Sequence, residues 1–181
     1  MSGTKSFDDY FRDFQEHLTG YATNITSDHA YIHKGLGFIA IIKKAAQSAA
    51  FNVGFTTPAS GRDIHWRPVG IMSSSDNVSV TVYEGDAFTG GTAVTPVCMN
   101  RKIDATSQMQ SFDDGVTVTP AGVVIQAFNT GGGSGGNATG GGSSATEERL
   151  LKQDTDYVVV VEPDGATDIV LEFFWYEEDE F

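Results

Sequence analysis

The chain has 181 residues and one cysteine, Cys98. No disulfide can close within it, and a metal site needing two thiolates is excluded. Positive charge is scarce too: 11 Lys and Arg stand against 24 Asp and Glu, a formal net charge of −13. Lys34, Lys43 and Lys44 make the one small basic group, too few for a grip on phosphates, so nucleic acid is not an expected partner. The acidity suits solubility or a basic partner surface. No run approaches the roughly 18 apolar residues of a membrane-spanning helix, so no membrane partner is expected. Met1 to Lys5 lead into no apolar signal-peptide region. The Asn-x-Ser/Thr triplets at Asn24, Asn77 and Asn137 are accordingly expected to be chance matches.

What the chain does have is apolar and aromatic β-type sequence. Tyr157 to Val161 and Ile169 to Tyr176 are apolar at nearly every position, so both strands belong inside a packed structure. Pro163-Asp164-Gly165 between them reads as the turn of a β-hairpin, with Gly165 at positive φ. Phe38 to Ile42 is a second buried-type run. Phe51, Val53 and Phe55 alternate with Asn52 and Gly54. Val78, Val80 and Val82 alternate with Ser79, Thr81 and Tyr83, the cleanest period of two in the chain. Ile64 to Met72 is interrupted by Pro68, which places part of it on an edge. Val94 to Met99, Val116 to Thr119 and Val123 to Phe128 follow. The total is about eight strands, the spacing of sandwiches and jelly rolls.

The helical signal falls on residues 6–20. Ser6 and Asp9 form a capping-box-like pair, and Gly20 is a stop. Phe7, Tyr10, Phe11, Phe14 and Leu18 line one face. Beyond Thr23 the helical period is lost, and Ala30 to His33 reads as a possible edge strand. Residues 130–144 are rich in Gly and Ser and are expected to be a long loop within the domain. Glu177-Glu178-Asp179-Glu180 reads as a solvated acidic tail. The expected fold is all-β: a β-sandwich or jelly-roll-like domain over residues 29–181, preceded by an amphipathic helix and arm over 1–28.

Candidate chemistry is sparse. The Gly-rich segment lacks the Lys-Ser/Thr that closes a P-loop. Gly-x-Ser-x-Gly is absent, and nothing marks an opposed carboxylate pair. His29 and His33 are four apart, but their segment does not read as helical and no third ligand is evident beside them; His17 and His65 stand alone. Asp113-Asp114-Gly115 and Asp154-Thr155-Asp156 offer oxygen ligands of the Ca²⁺ type, yet both are ordinary turn sequences. Trp66 between His65 and Arg67 reads as a core or interface aromatic, with a sugar-stacking platform as the other reading. The expectation is a protein with no catalytic residues, no cofactor and no metal site.

Several segments in order resemble the small virion structural proteins of tailed bacteriophages. They are Ile64-His65-Trp66-Arg67-Pro68-Val69, Val78 to Gly85, Asn100-Arg101-Lys102, Gly135 to Gly141, Leu151 to Tyr157, and Phe174-Trp175-Tyr176-Glu177. The likeness covers about residues 30 to 178, and order and spacing carry it. It implies a capsid decoration (cement) protein on the virion exterior, often trimeric, whose partner is the major capsid protein. A tail or head–tail accessory, or a carbohydrate-binding module on a host-facing appendage, are the alternatives. The helix of residues 6–20 lies outside the likeness. Its stripe, Phe7, Tyr10, Phe11, Phe14 and Leu18, is expected to anchor to the capsid or to a neighbouring copy; packing on its own sheet is the plainer reading.

Overall fold

A computed structural model describes residues 27–120, 122–130, 138–141 and 148–178. The helix expected at 6–20, with its stripe of Phe7, Tyr10, Phe11, Phe14 and Leu18, lies outside the described residues, as do most of the Gly-rich segment and the last three residues. The elements are α1 (Ser27–Lys34), β1 (Gly37–Gln47), β2 (Phe51–Thr56), β3 (Asp63–Trp66), β4 (Gly70–Ser73), β5 (Val78–Glu84), β6 (Ala87–Thr89), β7 (Thr92–Ala93), β8 (Val97–Cys98), β9 (Ser111–Asp114), β10 (Thr117–Thr119), β11 (Val123–Asn129), β12 (Ala138–Gly141), β13 (Arg149–Leu150), β14 (Asp156–Pro163) and β15 (Thr167–Glu178). The fold is mostly β, with antiparallel sheets that do not close and one short helix among the described residues.

One sheet runs β12-β4-β15-β1-β8, with β3 and β13 joined alongside β15; the other runs β11-β5-β14-β2-β9-β7. The pairing is nested. β1 pairs with β15, β2 with β14, β4 with β12, and β5 with β11. Two further pairings, β15 with β4 and β14 with β5, join these ribbons within each sheet. Strands far apart in the chain are therefore neighbours in space, while successive strands such as β1 and β2, β4 and β5, and β14 and β15 lie in opposite sheets.

The side chains explain the arrangement. In β15, Ile169, Leu171, Phe173 and Trp175 point inward and are buried; in β14, Tyr157, Val159 and Val161 do the same from the other sheet. Val78, Val80 and Val82 of β5 add the alternation read from sequence. The core between the sheets is aromatic. Phe55 stacks on Trp66 at 4.5 Å, and Phe112 meets Phe173 at 5.1 Å and Trp175 at 5.8 Å. Each ring buried this way contributes roughly 4–6 kcal/mol of gross transfer free energy before ordering costs. Val158, on the outer face of β14, is buried as well. Beside it the β6–β10 ribbon closes over Gly54, where an added Cβ would lie 2.7 Å from the Phe88 ring.

Four sequence expectations are corrected. First, β14 and β15 are not a hairpin: they lie in different sheets. Residues 164–166 form a corner between sheets, and its backbone bonds to the neighbouring corner instead, Asp164 N–H to the Asn77 carbonyl and Ser74 N–H to the Asp168 carbonyl. Gly165 is not in the positive-φ region; an added Cβ there would lie 3.0 Å from the Asp76 carboxylate. Two strands apolar on both faces each need a strand on either side, and the nested order supplies them. Second, Ala30 to His33 is helical, not an edge strand: it lies within α1. Gly35 at φ +77° stops it, with the Gly35 N–H on the Ile32 carbonyl and the Leu36 N–H on the Tyr31 carbonyl, a Schellman ending. Third, Ile64 to Met72 makes two strands that pair with successive parts of β15, with Pro68 between them. Fourth, Glu177 and Glu178 belong to β15, and Glu177 is fully buried.

Candidate functional site

The outer face of the β15 sheet carries the features that the core does not use. Its even-numbered β15 positions and odd-numbered β1 positions face outward. Ile39 sits between Phe174 and Val97 in register; Ile41 lies opposite Glu172; and Val170 lies between Lys43 and Met72. Ile41, Met72 and Val97 are 48%, 45% and 41% exposed, so an apolar band crosses four strands of one face. Isolated surface hydrophobes are ordinary; here they lie in three successive rows of one face, with Glu172 and Lys43 among them.

At one end of that face α1 packs down. Gly37 permits the approach, since a Cβ there would lie 2.9 Å from Ile32 Cγ1. Tyr31 stacks on Tyr176 at 4.4 Å, and His65 stacks on the other side of Tyr176 at 4.5 Å, a three-ring pile. Two carboxylates clasp it. His65 Nδ1 is 2.7 Å from Glu148 Oε1, and its Nε2 is 3.2 Å from Glu178 Oε2. The Tyr176 hydroxyl donates to Glu148 Oε1 at 2.6 Å, Arg67 approaches Glu148 Oε2 at 3.6 Å, and the Tyr31 hydroxyl donates to Glu178. Burial, then this hydrogen bond, pushes the Tyr31 phenol up to about 12. Both imidazole nitrogens of His65 are engaged, so neither is open to a substrate. The cluster ties α1, β3, β13's approach and the end of β15 together.

On the inward side, Glu177 Oε1 accepts from Ser107 Oγ at 2.6 Å, the Gln108 N–H at 2.9 Å and Trp175 Nε1 at 3.4 Å; Arg62 lies 3.7 Å from Oε2. This carboxylate pins residues 107–108 across the sheet's end.

The other sequence candidates do not assemble. Trp66 is 1% exposed in the core, which removes the sugar-stacking platform. Asp113 and Asp114 end β9, and Asp114 pairs with Lys44 at 2.5 Å while Gly115 turns at φ +77°. Asp154 turns at φ +47°, and Asp156 accepts from Thr56 Oγ1 at 2.6 Å. Cys98 is buried and free. A cavity of about 330 Å³ at the β7–β9 edge is lined by Val94, Pro96, Met109 and Phe112, with Asp113 its one carboxylate. Lys44 also covers Phe51 at 5.2 Å and Lys34 covers Tyr31 at 5.4 Å, so the small basic group is spread over separate contacts. Sequence reasoning did not find the His65–Glu148–Glu178 cluster: 83 residues separate His65 from Glu148.

Comparisons with protein-family models, with curated proteins and with solved structures found no match to this chain.

Proposed function

We propose that this chain is a non-enzymatic structural protein of a tailed-phage virion, a decoration protein that binds the major capsid protein lattice from outside as a trimer. Its domain, in this reading, is a jelly roll. The observation that carries the proposal is the nested strand order, β1 with β15, β2 with β14, β4 with β12 and β5 with β11, because an antiparallel ribbon of four such pairs rolled into two sheets is the jelly-roll plan used by viral capsid domains. The resemblance of residues 30 to 178 to phage virion proteins supports it independently. The apolar band of Ile39, Ile41, Met72, Val97 and Phe174 is the surface offered to the lattice. Many copies, each burying a modest area, would sum to a large stabilisation of the shell. Lectins share the jelly-roll plan, but Trp66, the aromatic that would stack a sugar, lies in the core.

The test is co-sedimentation of the purified chain with phage heads lacking it. Wild type should sediment with heads at a fixed copy number. Ile41→Asp combined with Met72→Asp should stay folded and remain in the supernatant. Equal binding by the double variant, or wild type that binds isolated tails and not heads, would overturn the decoration reading.

A further inference from the structure

The outer turn surface of α1 carries two side chains that neither the core nor the Tyr31–Tyr176–His65 pile uses. Tyr31 and Ile32 hold the helix to the sheet, and Asn100 Nδ2 fastens its last turn by donating to the His33 carbonyl at 2.9 Å. His29 and His33 are exposed. Being four residues apart on a helix, they share a face. Their Nε2 atoms are 2.8 Å apart and their ring centroids 4.5 Å apart.

We propose that His29 and His33 are a chelating pair for a borderline divalent transition metal, Cu²⁺, Ni²⁺ or Zn²⁺, bound through the two Nε2 atoms. In the metal-free pair one Nε2 carries a hydrogen that the other accepts. On binding, that ring carries its hydrogen on Nδ1 instead, and both Nε2 lone pairs face the ion. Metal–imidazole bonds of about 2.0–2.1 Å place two ligands roughly 2.9 Å apart at a right angle and about 3.3 Å apart in a tetrahedron. The rings therefore open by only a few tenths of an ångström. Imidazole selects these ions over Ca²⁺ and Mg²⁺, which take oxygen. Among the described residues no group of three or more His, Cys, Asp or Glu converges, so the described chain offers two ligands, and Cu²⁺ should bind tightest. The pair converges only while α1 is helical, so the ion also holds α1 in place. Acid releases it, because a protonated imidazole has no Nε2 lone pair.

The experiment is calorimetric titration of the full chain with Cu²⁺, Ni²⁺ and Zn²⁺ in turn, using wild type, His29→Gln, His33→Gln and, as a control, His17→Gln. Far-UV circular dichroism confirms that each variant keeps its fold. One ion per chain is expected. Removing either ligand should cost at least the roughly 10- to 100-fold in affinity that losing a ligand's outer-shell partner costs; His17→Gln should change nothing. Histidine side-chain nitrogen NMR should show both Nε2 resonances moving together as the ion binds. No binding of any of the three ions, binding unchanged in either single variant, or an equal loss in His17→Gln would overturn the proposal.

Discussion

Replacing Glu177 tests the account where structure and sequence pattern part most sharply, since a residue in an acidic run turns out to be fully buried. Glu177→Ala removes the acceptor of three hydrogen bonds and the partner of Arg62. Ser107 Oγ and the Gln108 N–H, at an exposed residue, can turn to water, but the Trp175 Nε1–H loses its acceptor in the interior. Breaking a buried charged pair from one side typically costs about 3–5 kcal/mol, and hydrogen bonds to a charged group about 1.5–3 kcal/mol each. We expect a loss of about 3–5 kcal/mol for Glu177→Ala, the bonds not being additive. Glu177→Gln keeps an acceptor in place and should lose about 1–2 kcal/mol. Arg62→Ala leaves the buried carboxylate without its cation but keeps all three hydrogen bonds to Oε1, and it should cost less than Glu177→Ala. Urea unfolding measures all three. With a slope of about 1–3 kcal/mol/M, Glu177→Ala should lower the midpoint by roughly 1–5 M. A Glu177→Ala protein within about 0.5 kcal/mol of wild type would refute the reasoning, since that is the range of a solvated surface change.

Two further outcomes follow from the geometry. The Tyr31 phenol is raised by burial first and by its bond to Glu178 second, to about 12, from an ordinary value of 10.0. A raised value means that its contribution to stability is complete below pH 10 and is lost as pH rises towards 12. Alkaline unfolding curves should therefore fall more steeply for wild type than for Tyr31→Phe over that window; parallel curves would contradict the Tyr31–Glu178 contact. Gly122 sits where an added Cβ would lie 2.4 Å from the Glu84 carbonyl oxygen and 2.8 Å from the Asp86 N–H, both backbone atoms that cannot step aside. Gly122→Ala should cost about 1–3 kcal/mol by overpacking, read as a lowered melting temperature, and an unchanged melting temperature would contradict the close approach of β11 to β5.

How much of this was legible depended on how local each signal was. The alternation of Val78, Val80 and Val82 is a property of seven consecutive residues, and it became β5. The interior character of β14 and β15 was equally plain from their composition. Their partners were not, because the nested order pairs residues such as Gly37 and Tyr176 from opposite ends of the described chain, and a turn sequence alone cannot distinguish a hairpin from a corner. The helix α1 is eight residues long and rich in Tyr, Ile and His, which favour strands as much as helices. Its available signals were Ser27 and Asp28 in its first turn and His33-Lys34-Gly35 at its end. Once α1 is a helix, the spacing of His29 and His33 acquires a meaning that it lacked in an extended segment. Glu177 was hidden by its acidic neighbours, yet its parity with Phe173 and Trp175 already placed it on the inward face of one strand. The pairing of His65 with Glu148 has no local sequence signal at all.

The central claim, that this chain clamps a phage head from outside, is tested most directly by cryo-electron microscopy of a virion that carries it. The account predicts density fitting the two-sheet domain on the outer capsid surface, in groups of three, with the Ile41–Met72–Val97 face against the major capsid protein. Density for this chain found only on the tail, or a head whose outer surface carries none of it, would contradict the account.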